Sequence, residues 1–258
     1  MRHAFFTSSR PLVFAHRGGA ALAPENTLAA FEHGVSLGAD GIELDVRPSR
    51  DGRVMVHHDE TLDRTTRLRG RVRDRTADEL ADADVPELAA VLRACPHVRV
   101  VVEIKENDPA FGRRVVEELR TAGAIDRVCV GGFRGAVLRA VRTEEPALAT
   151  SASLEEVRIA LYRTWLRWPM RNPPWAGYQI PERKGATRVV SPRFIADAHD
   201  AGLGVQVWTV NDPLAASRLL QLGVDALITD RPDVMVPLVR QFSGTTVIDP
   251  RARNSLSP

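Results

Sequence analysis

An α/β fold, closed as a TIM-type (β/α)8 barrel with an irregular connection between the second and third strands, is what this sequence predicts. Three observations carry the prediction. Short β-rich apolar runs alternate with amphipathic stretches along the chain, the pattern of parallel strands joined by crossover helices. Eight such runs occur, enough to close a barrel. The chain has 258 residues, 44% of them hydrophobic, and no low-complexity tract, so it can bury one large core.

In chain order the strand candidates are Leu12 to Ala15, Gly41 to Val46, Val54 to His57, Val98 to Ile104, Arg127 to Val130, Ala147 to Ser151, Gly204 to Val210 and Ala226 to Thr229. Helices fill the gaps, the first starting near Asn26-Thr27. Asp108-Pro109, Ser191-Pro192 and Asp212-Pro213 each set a capping side chain before a proline at the first helical position. Thr76 with Glu79, and Ser153 with Glu156, have capping-box spacing. Gly123, Gly202 and Gly223 stand where helix C-termini need a residue that tolerates positive φ. Glu60 to Val102 reads as two short helices and a strand.

Two links break the repeat. Only Val46 to Arg53, containing Pro48 and Asp51-Gly52, lies between the second and third runs, too short for a crossover helix and suited to a turn. From Val157 to Lys184, Tyr162, Trp165, Trp168, Trp175 and Tyr178 are interleaved with Arg and Pro. This segment reads as a protruding helix and loop, a wall or lid over the barrel mouth. The expected organisation is one barrel domain over residues 1–258, with 1–10 and 243–258 as flexible tails.

Lys+Arg 35 against Asp+Glu 33 gives a net charge of +2, too balanced to argue for a nucleic-acid partner. The alternating Arg67, Arg69, Arg71, Arg73 and Arg75 read as a solvated loop. Cys95 and Cys129 lack C-x-x-C spacing and suggest neither a disulfide framework nor a zinc site. No apolar h-region follows the basic residues of the start, and no window is long enough to span a membrane. The expectation is a cytoplasmic protein, with peripheral membrane contact through the aromatic segment as an option. Nothing in the sequence speaks to self-association.

Chemistry is concentrated at strand ends. Side chains alternate across a strand, so Glu43 and Asp45 share one face while Ile42 and Leu44 share the other, and Glu103 shares its face with Lys105. In a barrel such groups converge at the C-terminal mouth. Three carboxylates with no clustered Cys or His among them favour a hard divalent cation, Ca2+ or Mg2+. Arg17 and Lys105 add positive charge suited to a phosphate, and His16 and His58 can move protons near neutral pH. One histidine as base and the other as acid would cleave a phosphodiester. His16 as base and His58 as acid is the preferred assignment, with the reverse left open. The nucleophile is either water or an adjacent substrate hydroxyl that forms a cyclic phosphate. His57 points away from His58 and is read as structural.

These residues fall in an ordered set: His16-Arg17-Gly18, Pro24 to Thr27, Glu43-Leu44-Asp45, His58-Asp59, Glu103-Ile104-Lys105 and Trp208-Thr209-Val210-Asn211. Leu62 to Thr66 (LDRTT) and Gly223 to Pro232 (GVDALITDRP) fill the gaps between them. The set resembles the glycerophosphodiester phosphodiesterase family, of the cytoplasmic bacterial type, whose members belong to the phospholipase-C-like phosphodiesterase barrels. The resemblance implies metal-dependent hydrolysis of a glycerophosphodiester to glycerol 3-phosphate and an alcohol. It also implies that Glu25 and Asn26 order the first loop and that Trp208 walls the glycerol side of the pocket. Two departures stand out: only Glu60 to Val102 occupies the place where the family often inserts a cap region, and Gly132-Phe133 replaces the family's Ser-Phe, so no role is carried to that position.

Two rival readings accompany this one. A lysophospholipase D type cleavage of a lipid phosphodiester would use the same site, with the aromatic segment covering an apolar group. A non-catalytic phosphate-ligand binding barrel would be expected to lack a histidine or a carboxylate of the set.

Overall fold

The computed structural model describes residues 2–243. Its elements run β1 (Leu12–His16), α1 (Leu28–Ser36), β2 (Gly41–Pro48), β3 (Val54–Val56), α2 (Ala77–Ala81), α3 (Leu88–Ala94), β4 (Arg99–Ile104), α4 (Pro109–Thr121), β5 (Val128–Gly131) and α5 (Gly135–Glu144). They continue with β6 (Ala149–Thr150), α6 (Leu154–Trp165), β7 (Gly177–Pro181), β8 (Arg183–Lys184), β9 (Thr187–Arg188), α7 (Pro192–Asp200), β10 (Gly204–Trp208), α8 (Pro213–Leu222), β11 (Ala226–Thr229) and α9 (Pro232–Ser243). The expected caps are present: Asp108, Ser191 and Asp212 accept from backbone amides at the starts of α4, α7 and α8, and Thr76 and Ser153 form capping boxes.

Eight strands pair in the order β6-β5-β4-β2-β1-β11-β10-β7, every neighbour parallel. The backbone amides of Ala176 and Ala152 donate to Thr150 O (2.8 Å) and Gly177 O (2.9 Å), which joins β7 to β6 and completes the barrel. Ile42, Leu44 and Val46 face outward and pack with Phe31, Val91 and Leu92 of the helix layer. Leu12, Phe14, Val101, Cys129 and Ile228 fill the interior. Among the described residues no helix is long and apolar enough to cross a membrane.

The predicted membership of the barrel needs one exchange. The run at Val54 to His57 is a strand, but β3 turns back antiparallel on β2, Val46 opposite Val56, and stays off the barrel path. Its place is taken by β7, inside the segment read as a protruding loop. The aromatic stretch therefore divides: α6 and a loop lie on the surface, while Tyr178 and Ile180 are buried against the helix layer. The irregular connection between the second and third runs is a tight hairpin, with Ser49 N bonded to Arg53 O (3.0 Å).

The N-terminal residues do not hang free. Phe5 and Phe6 sit in a short 3-10 turn, fully buried, and close the floor of the barrel beneath Phe14. A Cβ at Gly177 or Gly204 would overlap the Phe6 ring, so these two strands accept the plug only by lacking side chains there. The expected tail at 1–10 is corrected by this packing over residues 4–6. Of the tail expected at 243–258, residues 244–258 lie outside the described residues.

Candidate active site

Register brings the predicted groups together. Parallel pairing sets His16 beside Glu43 and Asp45 beside Glu103, so strand ends β1, β2 and β4 deliver one contiguous polar row at the mouth. His16, Arg17, Glu43, Asp45, His58, Glu103, Lys105 and Trp208 all line a cavity of about 120 Å3.

The loop after His16 is tightly wound. Gly18 has φ +89°, and a Cβ there would lie 2.7 Å from Ala30 backbone and side-chain carbon, so α1 can approach only a glycine. Arg17 and Asn26 both adopt left-handed backbone, φ 50° and 60°, each at a cost of about 1–3 kcal/mol. The Asn26 amide donates to Arg17 O (2.9 Å), and Asn26 Nδ2 donates to Asp45 Oδ2 (3.0 Å). Asn26 is therefore buried in the site, and Thr27 is the cap of α1. Arg17 Nη1 donates to Glu25 Oε1 (3.0 Å), its backbone amide donates to Glu43 Oε2 (3.2 Å), and its Nε lies 3.3 Å from Asp45 Oδ2.

Both pocket histidines carry an aspartate on Nδ1. His16 Nδ1 donates to Asp230 Oδ1 (2.6 Å), just past β11, and its Nε2 lies 3.8 Å from Glu43 Oε2. Burial pushes the His16 ring down, yet the Asp230 hydrogen bond and the Glu43 charge outweigh it and raise its pKa. Asp230 is held low against its own burial by His16 and by Asn211, whose Nδ2 donates to Asp230 Oδ2 (2.7 Å). His58 Nδ1 donates to Asp59 Oδ1 (2.6 Å). Arg64 grips Asp59 through Nε (2.7 Å) and Glu25 through Nη1 and Nη2 (2.9 and 2.7 Å), so it ties the His58 loop to the Arg17 loop. Asp59 is held far below the ordinary carboxylate range by Arg64 first and by His58. His57 is buried with Nε2 on Thr61 O (3.1 Å), and burial lowers its pKa. It does not reach the pocket.

Ligand oxygens of Glu43, Asp45 and Glu103 lie within 4.8 Å of one another. Lys105 Nζ bridges Asp45 Oδ1 (2.7 Å) and Glu103 Oε1 (2.5 Å). Asp45 is held low against burial by Lys105 and Arg17, whereas burial and the Asp45 charge drive the Glu43 carboxyl up. A site in which one of three carboxylates resists ionisation has room for one more positive charge. Asn26 Oδ1, buried without a hydrogen-bond partner, adds an unpaired oxygen beside Asp45. An all-oxygen donor set of this kind fits a hard divalent cation.

Sequence reasoning quoted Asp59, Arg64, Asn211 and Asp230 within its motifs but gave none of them a role; each acts through a predicted group. It also passed over Phe133, which stands edge-on to Trp208 (6.4 Å) with Lys105 Nζ 5.9 Å from its ring. Asp230 could have been found by the strand-end rule, since it directly follows β11.

A model of the glycerophosphoryl diester phosphodiesterase family matches residues 16–234. The chain is 30% identical over 250 residues to a glycerophosphodiester phosphodiesterase of Caldanaerobacter subterraneus subsp. tengcongensis, covering 90% of this chain and 99% of that one. A crystal structure of a glycerophosphodiester phosphodiesterase from Agrobacterium tumefaciens aligns at TM-score 0.71 and 28% identity, over 91% of this chain and 100% of that one. A phosphodiesterase of Oleispira antarctica, solved with the product sn-glycerol-3-phosphate, aligns at TM-score 0.76 and 25% identity, over 93% and 100%.

Proposed function

We proceed from the fact that this chain belongs to the glycerophosphoryl diester phosphodiesterase family, and we propose that it hydrolyses a glycerophosphodiester to glycerol 3-phosphate and an alcohol by two-histidine acid–base catalysis with a divalent cation. One observation carries the reading. Two aspartate-held histidines line a single small cavity with three clustered carboxylates, an arginine and a lysine.

In this reading Glu43, Asp45 and Glu103 hold Ca2+ or Mg2+, which would neutralise charge on the phosphoryl oxygens. Arg17 meets the same charge, fixed by Glu25 and by the buried Asn26 turn. Lys105 balances Asp45 and Glu103 and keeps the row from repelling itself apart. Asp230 and Asp59 fix Nδ1–H tautomers, which leave Nε2 of each ring for proton transfer. One Nε2 takes a proton from the nucleophile, water or a neighbouring substrate hydroxyl, and the other delivers one to the leaving oxygen. Trp208 and Phe133 wall the glycerol side.

The non-catalytic alternative asks for a missing histidine or carboxylate, and the cavity holds the full set. The reading treats residues 1–258 as one barrel domain and places it in the cytoplasm, supported by two buried free cysteines.

The test is product analysis. Purified protein is given glycerophosphocholine, glycerophosphoethanolamine and glycerophosphoglycerol, with chelator and with metal add-back, and phosphorus NMR follows the mixture. Glycerol 3-phosphate plus free alcohol is the expected outcome. Release of a phosphorylated alcohol with free glycerol, or no turnover in any metal, would overturn the reading.

A further inference from the structure

The catalytic cavity contains a polar group that neither packing nor the carboxylate row calls for. Gln179, on β7, is half-buried and lines this cavity together with Glu103, Phe133 and Trp208. β7 and β10 pair with Gln179 opposite Gln206, and Gln179 Nε2 donates to Gln206 Oε1 (2.9 Å). The same nitrogen lies 3.7 Å from Cys129 Sγ, a second acceptor. Both amide hydrogens are therefore engaged by the barrel interior. Among the described residues no donor meets Gln179 Oε1.

That oxygen sits where a neighbouring strand leaves room for it. A Cβ at Gly131, the last residue of β5, would lie 2.5 Å from Gln179 Oε1, so the oxygen occupies the space of a missing side chain. Gly131 is the parallel partner of Glu103, which sets Gln179 Oε1 beside the Glu103 end of the carboxylate row. Trp208 stands two residues beyond Gln206 on β10, so the amide pair and the indole share one face of that strand. The arrangement costs stability: Gln206 is fully buried, and its Nε2 has no hydrogen-bond partner. Two apolar side chains would fill the same space without stranding a donor. What the amide pair adds is an acceptor held rigidly at the cavity surface.

We propose that Gln179 is the residue that reads the glycerol: its Oε1 accepts a hydrogen bond from the terminal hydroxyl of the glycerol moiety, the one farther from the phosphate. The inference rests on the hydrolytic reading of the site and deepens it by naming a specificity-determining group. Trp208 and Phe133 offer apolar contact, which recognises carbon but not oxygen. A fixed acceptor supplies the missing polar half. A site built to hydrogen-bond a hydroxyl rejects an analogue without it more strongly than an apolar wall can, because the acceptor is then left unpaired.

The experiment is a cycle between the residue and the hydroxyl. Glycerophosphocholine and its 1-deoxy analogue, which lacks only the terminal hydroxyl, are compared in the parent, in Gln179→Met, and in Gln179→Met combined with Gln206→Leu. The pair variant leaves no amide stranded in the barrel, and melting temperature reports the folding of both. The parent should favour glycerophosphocholine by about tenfold or more in kcat/KM. Each variant should lose about that factor on glycerophosphocholine and almost nothing on the deoxy analogue, so the preference collapses towards unity. A parent that turns over both substrates equally well overturns the inference without any variant. An equal loss on both substrates would make Gln179 a structural residue and overturns it as well, as does a preference that survives in folded variants. Failure of the parent to turn over any diester removes the hydrolytic reading itself and this inference with it.

Discussion

The two ends of this barrel handle charge in opposite ways. At the N-terminal end the half-buried acids Asp40 and Asp225 are matched. Asp40 accepts from Val13 N and from Arg10, and Asp225 accepts from Val205 N (2.7 Å), His199 Nε2 (3.0 Å) and Arg2. At the C-terminal end Glu43, Asp45 and Glu103 crowd within 4.8 Å, and the loop above them carries two left-handed non-glycine residues. One end has its electrostatics satisfied by the fold, while the other leaves Glu43 driven up by burial and by the Asp45 charge, which a bound cation can relieve, beneath a loop that carries backbone strain. Substitutions at the mouth should therefore cost activity and little stability, and substitutions at the floor should do the reverse.

The largest expected effect comes from taking the cation away. A verified metal-free preparation should lose measurable turnover, and Ca2+ or Mg2+ should restore it; full activity without metal would remove the cation from the account. Glu43→Gln should weaken metal binding, read by calorimetry. Because burial and the Asp45 charge already drive the Glu43 carboxyl up when no metal is bound, the neutral amide replaces it at little cost and the metal-free variant should melt no lower than the parent.

Next in size, His16→Ala and His58→Ala should each lower kcat by about 100- to 10,000-fold with little change in melting temperature. His57→Ala is the internal control. It removes a buried ring and its bond to Thr61 O, so it should lower the melting temperature and leave kcat close to the parent. A dead His57 variant beside an active His58 variant would reverse the assignment of the two neighbours.

The same contrast explains what could be read from the sequence. Glu43, Asp45, Glu103 and Lys105 were legible because strand parity and strand ends are local properties. Asp230 and Arg64 were not, because Asp230 acts on His16 and Arg64 on Glu25, partners brought near only by the fold; Asp59 adjoins His58 in the chain, but adjacency alone does not say that its carboxylate turns onto the ring. The β7 strand was hidden for a related reason. Its inward positions are Gly177 and Gln179, small or polar because Phe6 and Gln206 occupy the space, so the run lacks the apolar signature of its neighbours. Its partner in the error, Val54 to Val56, has that signature, but eight residues of chain, Val46 to Arg53, allow only an antiparallel return.

A smaller effect is expected at Asp230. Asp230→Asn keeps the shape but replaces the carboxylate on His16 Nδ1 by an amide, which should lower kcat by about 10-fold or more and by no more than loss of the ring itself. The loss should fall on kcat, with KM for glycerophosphocholine nearly unchanged, because Arg17, the residue proposed to meet the phosphate, keeps its contacts with Glu25 and Glu43. A change confined to KM would make Asp230 a substrate-binding group.

The smallest expected effect is the one that tests the other end. Burial would raise the Asp225 carboxyl, but hydrogen bonds from His199 and Arg2 overcome it and hold its pKa below the ordinary value. A carboxylate whose folded pKa is depressed stabilises the fold above its unfolded pKa, and that contribution is lost as pH falls through the folded value. Asp225→Asn should therefore lower the melting temperature at neutral pH by a few degrees, consistent with a loss of about 1–2 kcal/mol in a domain of this size. As pH falls through the folded pKa of Asp225, which lies below the ordinary value, the two melting curves should converge. Turnover measured well below the transition should match the parent, since the substitution sits at the opposite end of the strands from His16. If Asp225→Asn lowered kcat by tenfold or more in fully folded protein, the floor would be coupled to the mouth through β10 and β11, and the division of labour between the two ends would fail.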